Sequence, residues 1–158
     1  MSYSDWEPLV KTVSLMIELA PEYVVVQVHG LDGPDGGPYV QTLREADGAM
    51  TLEAASNVFL DDQISPDSIE ILKEMGWRNP EPEDGLPNFY CTVDELNTSD
   101  ETANFLTRTL RDVYGVTTGA VFELAPHEIF MDIIGGRYGV PTGMYLFSDD
   151  SDPRVVGR

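Results

Sequence analysis

The stretch from Leu52 to Tyr90 constrains this chain more than any other, because it packs several independent stop and start signals into fewer than forty residues. Ser65 is a good helix N-cap and Pro66 suits the first helical position, where its missing N–H costs nothing. Ile69, Leu72 and Met75 then form an apolar stripe, and Gly76 follows as the residue that can turn left-handed and end the helix. Trp77 falls one position later, where an apolar contact back onto the last turn of that helix is expected. The Pro- and Glu-rich run from Asn79 to Pro87 predicts an exposed loop, and Phe89 to Val93 predicts a strand.

Upstream, Ser4 and Glu7 have the spacing of a capping box. Trp6, Val10, Val13, Ile17 and Ala20 repeat at helical spacing, which predicts an amphipathic helix over residues 5–20, ended by Pro21. The β-branched run Tyr23 to His29 predicts a strand closed by the turn-forming residues Gly30 to Pro38. Tyr39 to Glu45 and Ala49 to Ala55 flank Asp47-Gly48, which predicts a hairpin with a tight primed turn. Downstream, Thr98 and Glu101 make a second capping box for a helix carrying Phe105, Leu106, Leu110 and Val113 as far as Gly115. A strand over 120–124 and a helix over 126–134 follow, broken by the glycines at 135 and 136. The expected architecture is α+β, an antiparallel meander packed against helices, in one domain over residues 1–147, with the acidic tract at 148–158 as a frayed tail.

Chain length and charge narrow the function. At 158 residues one domain should bury roughly two thirds of its unfolded surface, so no staple is required. Nine Lys and Arg against 28 Asp and Glu give 9 − 28 = −19, which repels nucleic acid and anionic membrane surfaces. The same charge either keeps the chain in solution or helps hold a basic partner. The N-terminal segment lacks a basic, then apolar signal pattern, and no apolar run reaches the ~20 residues of a membrane span, so a cytoplasmic location is expected.

Catalytic chemistry finds little to work with. There is no G-x-S-x-G elbow, and two histidines (His29, His127) with one cysteine (Cys91) match no zinc spacing, so no metal and no cofactor are expected. Cys91 sits in an apolar run and reads as buried filler. Asp61, Gln63, Ser65 and Asp67 faintly resemble a calcium loop, but Pro66 and Leu72 stand at its most demanding positions. The one enzymatic alternative is a small hydrolase built on the carboxylate pair Glu128 and Asp132 with His127; in so acidic a chain such pairs also arise on solvated faces. The aromatic material at Phe59, Trp77, Phe89 and Tyr90 reads first as core and second as the lining of a groove.

The ordered series Glu53 to Leu60, Ile64-Ser65-Pro66, Leu72 to Trp77 with Pro80, Asn88-Phe89-Tyr90 and Thr109 to Val116 resembles the bacterial TY-Chap domain family, related to YbjN proteins and type III secretion chaperones. The resemblance runs from Trp6 to about Leu124. It implies a secretion-chaperone-like or YbjN-like fold that binds a peptide or partly unfolded protein and performs no chemistry. A structural regulatory subunit is the remaining alternative, and a homodimer is an expected assembly. The expected partner-binding residues are Leu9, Leu15, Met16 and Leu19 on the first helix, together with Asn57, Phe59, Trp77 and Phe89. On the helix these leucines and Met16 exceed what a single inward face requires, so a partner or sister subunit should cover them.

Overall fold

The structure is a computed structural model that describes residues 6–29, 36–93, 97–117, 120–135 and 146–147. Along the chain run α1 (Glu7–Leu19), β1 (Tyr23–Val28), β2 (Tyr39–Arg44), β3 (Met50–Ala54), α2 (Pro66–Met75), a 3-10 turn (Pro82–Asp84), β4 (Phe89–Val93), α3 (Ser99–Asp112), β5 (Phe122–Ala125), α4 (His127–Ile134) and β6 (Leu146–Phe147). The strands form one sheet in the order β4-β3-β2-β1-β5-β6, antiparallel throughout except for the two-residue β6, which lies parallel to β5. The expected α+β meander packed on helices is therefore the fold observed. The glycine-rich turn at 30–35, the Ser4 cap and the tract at 148–158 lie outside the described residues.

Register follows from alternation. Val24, Val26 and Val28 on β1, Val40 and Thr42 on β2, Met50, Leu52 and Ala54 on β3, and Phe122 and Leu124 on β5 all turn to one face and are buried there with α1 and α3. A slip of one residue in any strand would send this set to the other face, which is why the pairs Val26↔Val40 and Thr42↔Leu52 are strongly specified. Late α1 meets early α3, so the two helices run antiparallel: the Ser14 hydroxyl donates to Asp100 Oδ1 at 2.6 Å, and the Ser99 hydroxyl donates to Glu18 Oε1 at 3.0 Å.

The helix signals hold where they are local. Ser65 Oγ accepts from Ser68 N–H, Gly76 is left-handed at φ 112°, and Trp77 N–H reaches back to the Leu72 carbonyl. At α3 both arms of the Thr98–Glu101 capping box form, at 3.1 and 2.9 Å. The β2–β3 turn differs from expectation. A primed two-residue turn needs a positive φ at Asp47, and among the described residues no non-glycine has one, Asp47 included. Instead Ala46-Asp47-Gly48 forms a three-residue loop: Glu45 accepts from Gly48 N–H, Gly48 takes φ 92°, and Asp47 Oδ1 accepts from Ala49 N–H.

Packing covers more of α1 than one inward face, which corrects the expectation that its surplus apolar residues meet a partner. Leu9, Val13, Met16 and Ile17 are buried, as are Thr12 and Ser14, because the helix lies against the sheet while α3 and α4 flank it. Each such apolar side chain contributes roughly 1.5–3 kcal/mol by leaving water. Leu9 and Met16 therefore belong to the core rather than to a docking face, and Leu15 is half-buried against the same core. Leu19 alone of the four is exposed.

Candidate functional site

Beyond β3 the chain makes no regular structure until α2, and Asn57 holds this segment in shape. Its Oδ1 accepts from Ile64 N–H at 2.8 Å and its Nδ2 donates to the Ile64 carbonyl at 3.2 Å, pinning both ends of a loop. Val58 and Phe59 stand out from that loop, 76% and 42% exposed. Phe59 tilts against Tyr39 at 6.5 Å between ring centres.

After α2, Trp77 turns inward. It stacks on Phe105 of α3 at 5.2 Å and its indole N–H donates to Thr109 Oγ1 at 3.1 Å, so it ties the end of α2 to α3. The next residues return as a short excursion: Arg78 exchanges backbone hydrogen bonds with Tyr90, Glu81 exchanges them with Leu86, and left-handed Gly85 closes the tip after the 3-10 turn. The Tyr90 hydroxyl donates to Glu81, and this contact raises its pKa. Asn88, just before β4, then joins β2, β3 and the segment after β3 at one point. Its Oδ1 accepts from Tyr39 OH at 2.9 Å and from Ser56 N–H at 3.4 Å, while its Nδ2 donates to Glu53 Oε1 at 2.9 Å.

Between this excursion and the β3–α2 loop lies a groove of about 280 Å³. Its walls are Ser56, Asn57 and Val58 on one side, Ile69 from α2, and Asn79, Pro80, Pro82, Pro87 and Phe89 on the other. Two further clefts differ in character. One of about 570 Å³ runs between β4 and α3 past Met75, Cys91, Val93, Phe105 and Arg108. Burial there pushes the Cys91 thiol up to about 11, so it is protonated at neutral pH and serves as packing. The other, about 470 Å³ between α1 and α3, is lined by charged side chains, among which Lys11 pairs with Glu7 at 3.0 Å. Of these three clefts among the described residues, the 280 Å³ groove combines apolar walls with a strongly exposed apolar residue, Val58.

Of the residues expected from sequence to meet a partner, the groove brings together Asn57 and Phe89. Phe89 is buried and forms its floor, so it shapes the site from beneath rather than projecting. Phe59 is exposed on the adjoining loop. Trp77 is 3% exposed and acts as a core anchor, a correction to its place among contact residues. Leu9, Leu15, Met16 and Leu19 do not line the groove. His127 and Glu128 are exposed on the first turn of α4 with Asp132 half-buried a turn later, and none of them lines any of the three clefts. Ser56, Val58, Ile69, Asn79, Pro80, Pro82 and Pro87 were missed as groove residues. The available signal was three prolines within eight residues, 80 to 87, directly before an aromatic strand.

The class of protein is an α+β domain, an antiparallel meander on helices that leaves an apolar groove open to solvent. This chain belongs to the TY-Chap3 family, described as T3SS (YopN, CesT) and YbjN peptide-binding chaperone 3, whose model matches residues 5–126. The matched span contains α1 through β5 and the whole groove. No curated protein matches the chain, and no solved structure does. Among the described residues no helix is long and apolar enough to cross a membrane.

Proposed function

We propose that this protein binds an extended peptide or a partly unfolded protein segment at the groove between the β3–α2 loop and the 79–87 excursion, without turnover. The observation that carries the reading is Val58, 76% exposed at the mouth of an apolar groove floored by Phe89. An apolar side chain of the partner seated there would remove both surfaces from water. Charge selects what flanks that side chain. From Glu53 to Asp84 the chain carries nine Asp and Glu against Lys73 and Arg78, a local balance of 2 − 9 = −7, so basic residues beside the anchor are favoured and acidic ones repelled.

The family supports the peptide-binding reading, and the acidic surroundings support the basic character of the partner. Val58→Asp separates this reading from a merely structural loop. Because the side chain is already solvent-facing, the substitution should change folding stability by no more than about 0.5 kcal/mol. Affinity for a fluorescent Lys-rich peptide with one apolar residue at its centre, read by anisotropy, should fall at least about tenfold, since the apolar contact is lost and a charge must be desolvated at the mouth, which outweighs the ~0–1 kcal/mol that an exposed ion pair with the peptide's lysines returns. Equal binding by the variant, or equal binding of a Glu-rich counterpart by the native protein, would sink the proposal.

A further inference from the structure

The groove is short of hydrogen-bonding groups in a way that specifies what should enter it. Pro80, Pro82 and Pro87 have no backbone N–H to offer. The Asn57 amide is spent at both ends on Ile64. Ser56 is the exception: its backbone N–H donates to Asn88 and its carbonyl accepts from Phe59 N–H, yet its side-chain oxygen, buried in a residue only 4% exposed, has no hydrogen-bond partner among the described residues. A buried hydroxyl in this condition is a liability to the free protein; Ser56 lines the groove, and a turn about its one side-chain torsion is what would bring the hydroxyl to a ligand there.

We propose that the groove is a tyrosine pocket: an aromatic ring of the bound segment lies against the prolines and Phe89, and its phenol exchanges a hydrogen bond with Ser56 Oγ. Each part of the ligand answers a feature of the site. About 280 Å³ holds one aromatic side chain and is small for a drug-sized molecule. Rigid, apolar proline walls favour a flat ring that loses little freedom on binding. A serine hydroxyl both donates and accepts, so it serves a phenol in either sense. A site holding a buried hydroxyl discriminates against an analogue without one, because the analogue leaves that group unpaired. The acidic surroundings place Lys or Arg on either side of the tyrosine. Asn79, on the exposed rim, gains no comparable selectivity, since water already serves it in the free protein.

This inference rests on the groove being the peptide site, and the test keeps the two apart. The probes are nine-residue peptides, Lys-Gly-Lys-Gly-Tyr-Gly-Lys-Gly-Lys and its counterparts with Phe or Leu at the centre, titrated against the native protein, Ser56→Ala and Val58→Asp. The native protein should bind the Tyr peptide about tenfold more tightly than the Phe peptide. In Ser56→Ala the preference should collapse to near unity with the Phe affinity unchanged, while the thermal midpoint rises because an unpaired buried hydroxyl has gone. The Tyr-to-Phe ratio on the native protein needs no variant, so it decides the matter even if Ser56→Ala does not fold. Tyr and Phe peptides binding equally, with Val58→Asp weakening both, would overturn the tyrosine pocket and leave the groove as a peptide site. A Tyr preference that survives in Ser56→Ala would overturn the assignment to Ser56. No binding by any peptide would overturn both proposals.

Discussion

Trp77→Ala tests the packing argument on which the groove depends. The indole is 3% exposed, stacks on Phe105 at 5.2 Å, and donates to Thr109 Oγ1 at 3.1 Å. Truncating a buried Trp to Ala costs about 3–5 kcal/mol through lost transfer energy and the cavity that remains. The hydrogen bond adds little to that figure, because Thr109 Oγ1 still donates to the Phe105 carbonyl at 2.9 Å and loses only a partner it accepted from. Trp77→Phe isolates the smaller term: it keeps a ring against Phe105 and removes the N–H, so a cost of about 1–2 kcal/mol is expected. Urea melts followed by far-UV circular dichroism suit the comparison, since Trp6 is the other tryptophan and would complicate a fluorescence readout. If Trp77→Ala costs less than about 1 kcal/mol, the indole is not a core anchor and the α2–α3 connection must be held by something else.

The Cys91 thiol, raised to about 11 by burial from an ordinary value of 9.0, should alkylate slowly at pH 8 and at the rate of an ordinary thiol once urea unfolds the chain. Its protonated form is favoured by folding, so its contribution to stability is complete below pH 9 and is lost as pH rises toward about 11. Fast labelling of the native protein at pH 8 would refute the burial. With a formal charge of −19, the melting temperature should rise from low to physiological ionic strength, as a Debye length of ~8–10 Å screens self-repulsion. A flat response would mean that the charges are compensated locally.

What could be read from the residues was whatever depends on a few neighbours. Ser65-Pro66, Gly76-Trp77 and the Thr98–Glu101 box specify their helix ends through contacts three or four residues apart, and they appear in the structure as expected. Leu9 and Met16 were misplaced because their burial depends on α3 and α4, elements about ninety or more residues away in sequence that cover a wider arc of α1 than one apolar stripe suggests. The Asp47-Gly48 turn was right in place and wrong in type, since pattern fixes where a hairpin bends more firmly than which dihedrals it uses. The groove was half visible: Asn57 and Phe89 stood in the series that carried the family resemblance, but their meeting requires the 79–87 excursion to fold back across Ser56. Nothing local marks Ser56 Oγ as unpaired, because that follows from Asn88 satisfying the backbone beside it and not the hydroxyl.

Asn88 also bears on how quickly a ligand can arrive. A single buried amide braces Tyr39 on β2, Glu53 on β3 and the Ser56 backbone, so the wall of the groove is fastened to the sheet itself. Prying the wall outward would break three hydrogen bonds at the start of β4, and an opening step of that kind has nothing to drive it before the ligand is present. The cavity therefore waits ready-made. Association should be a single encounter whose observed rate grows linearly with ligand concentration and does not level off, and differences among ligands should show in how long each one stays.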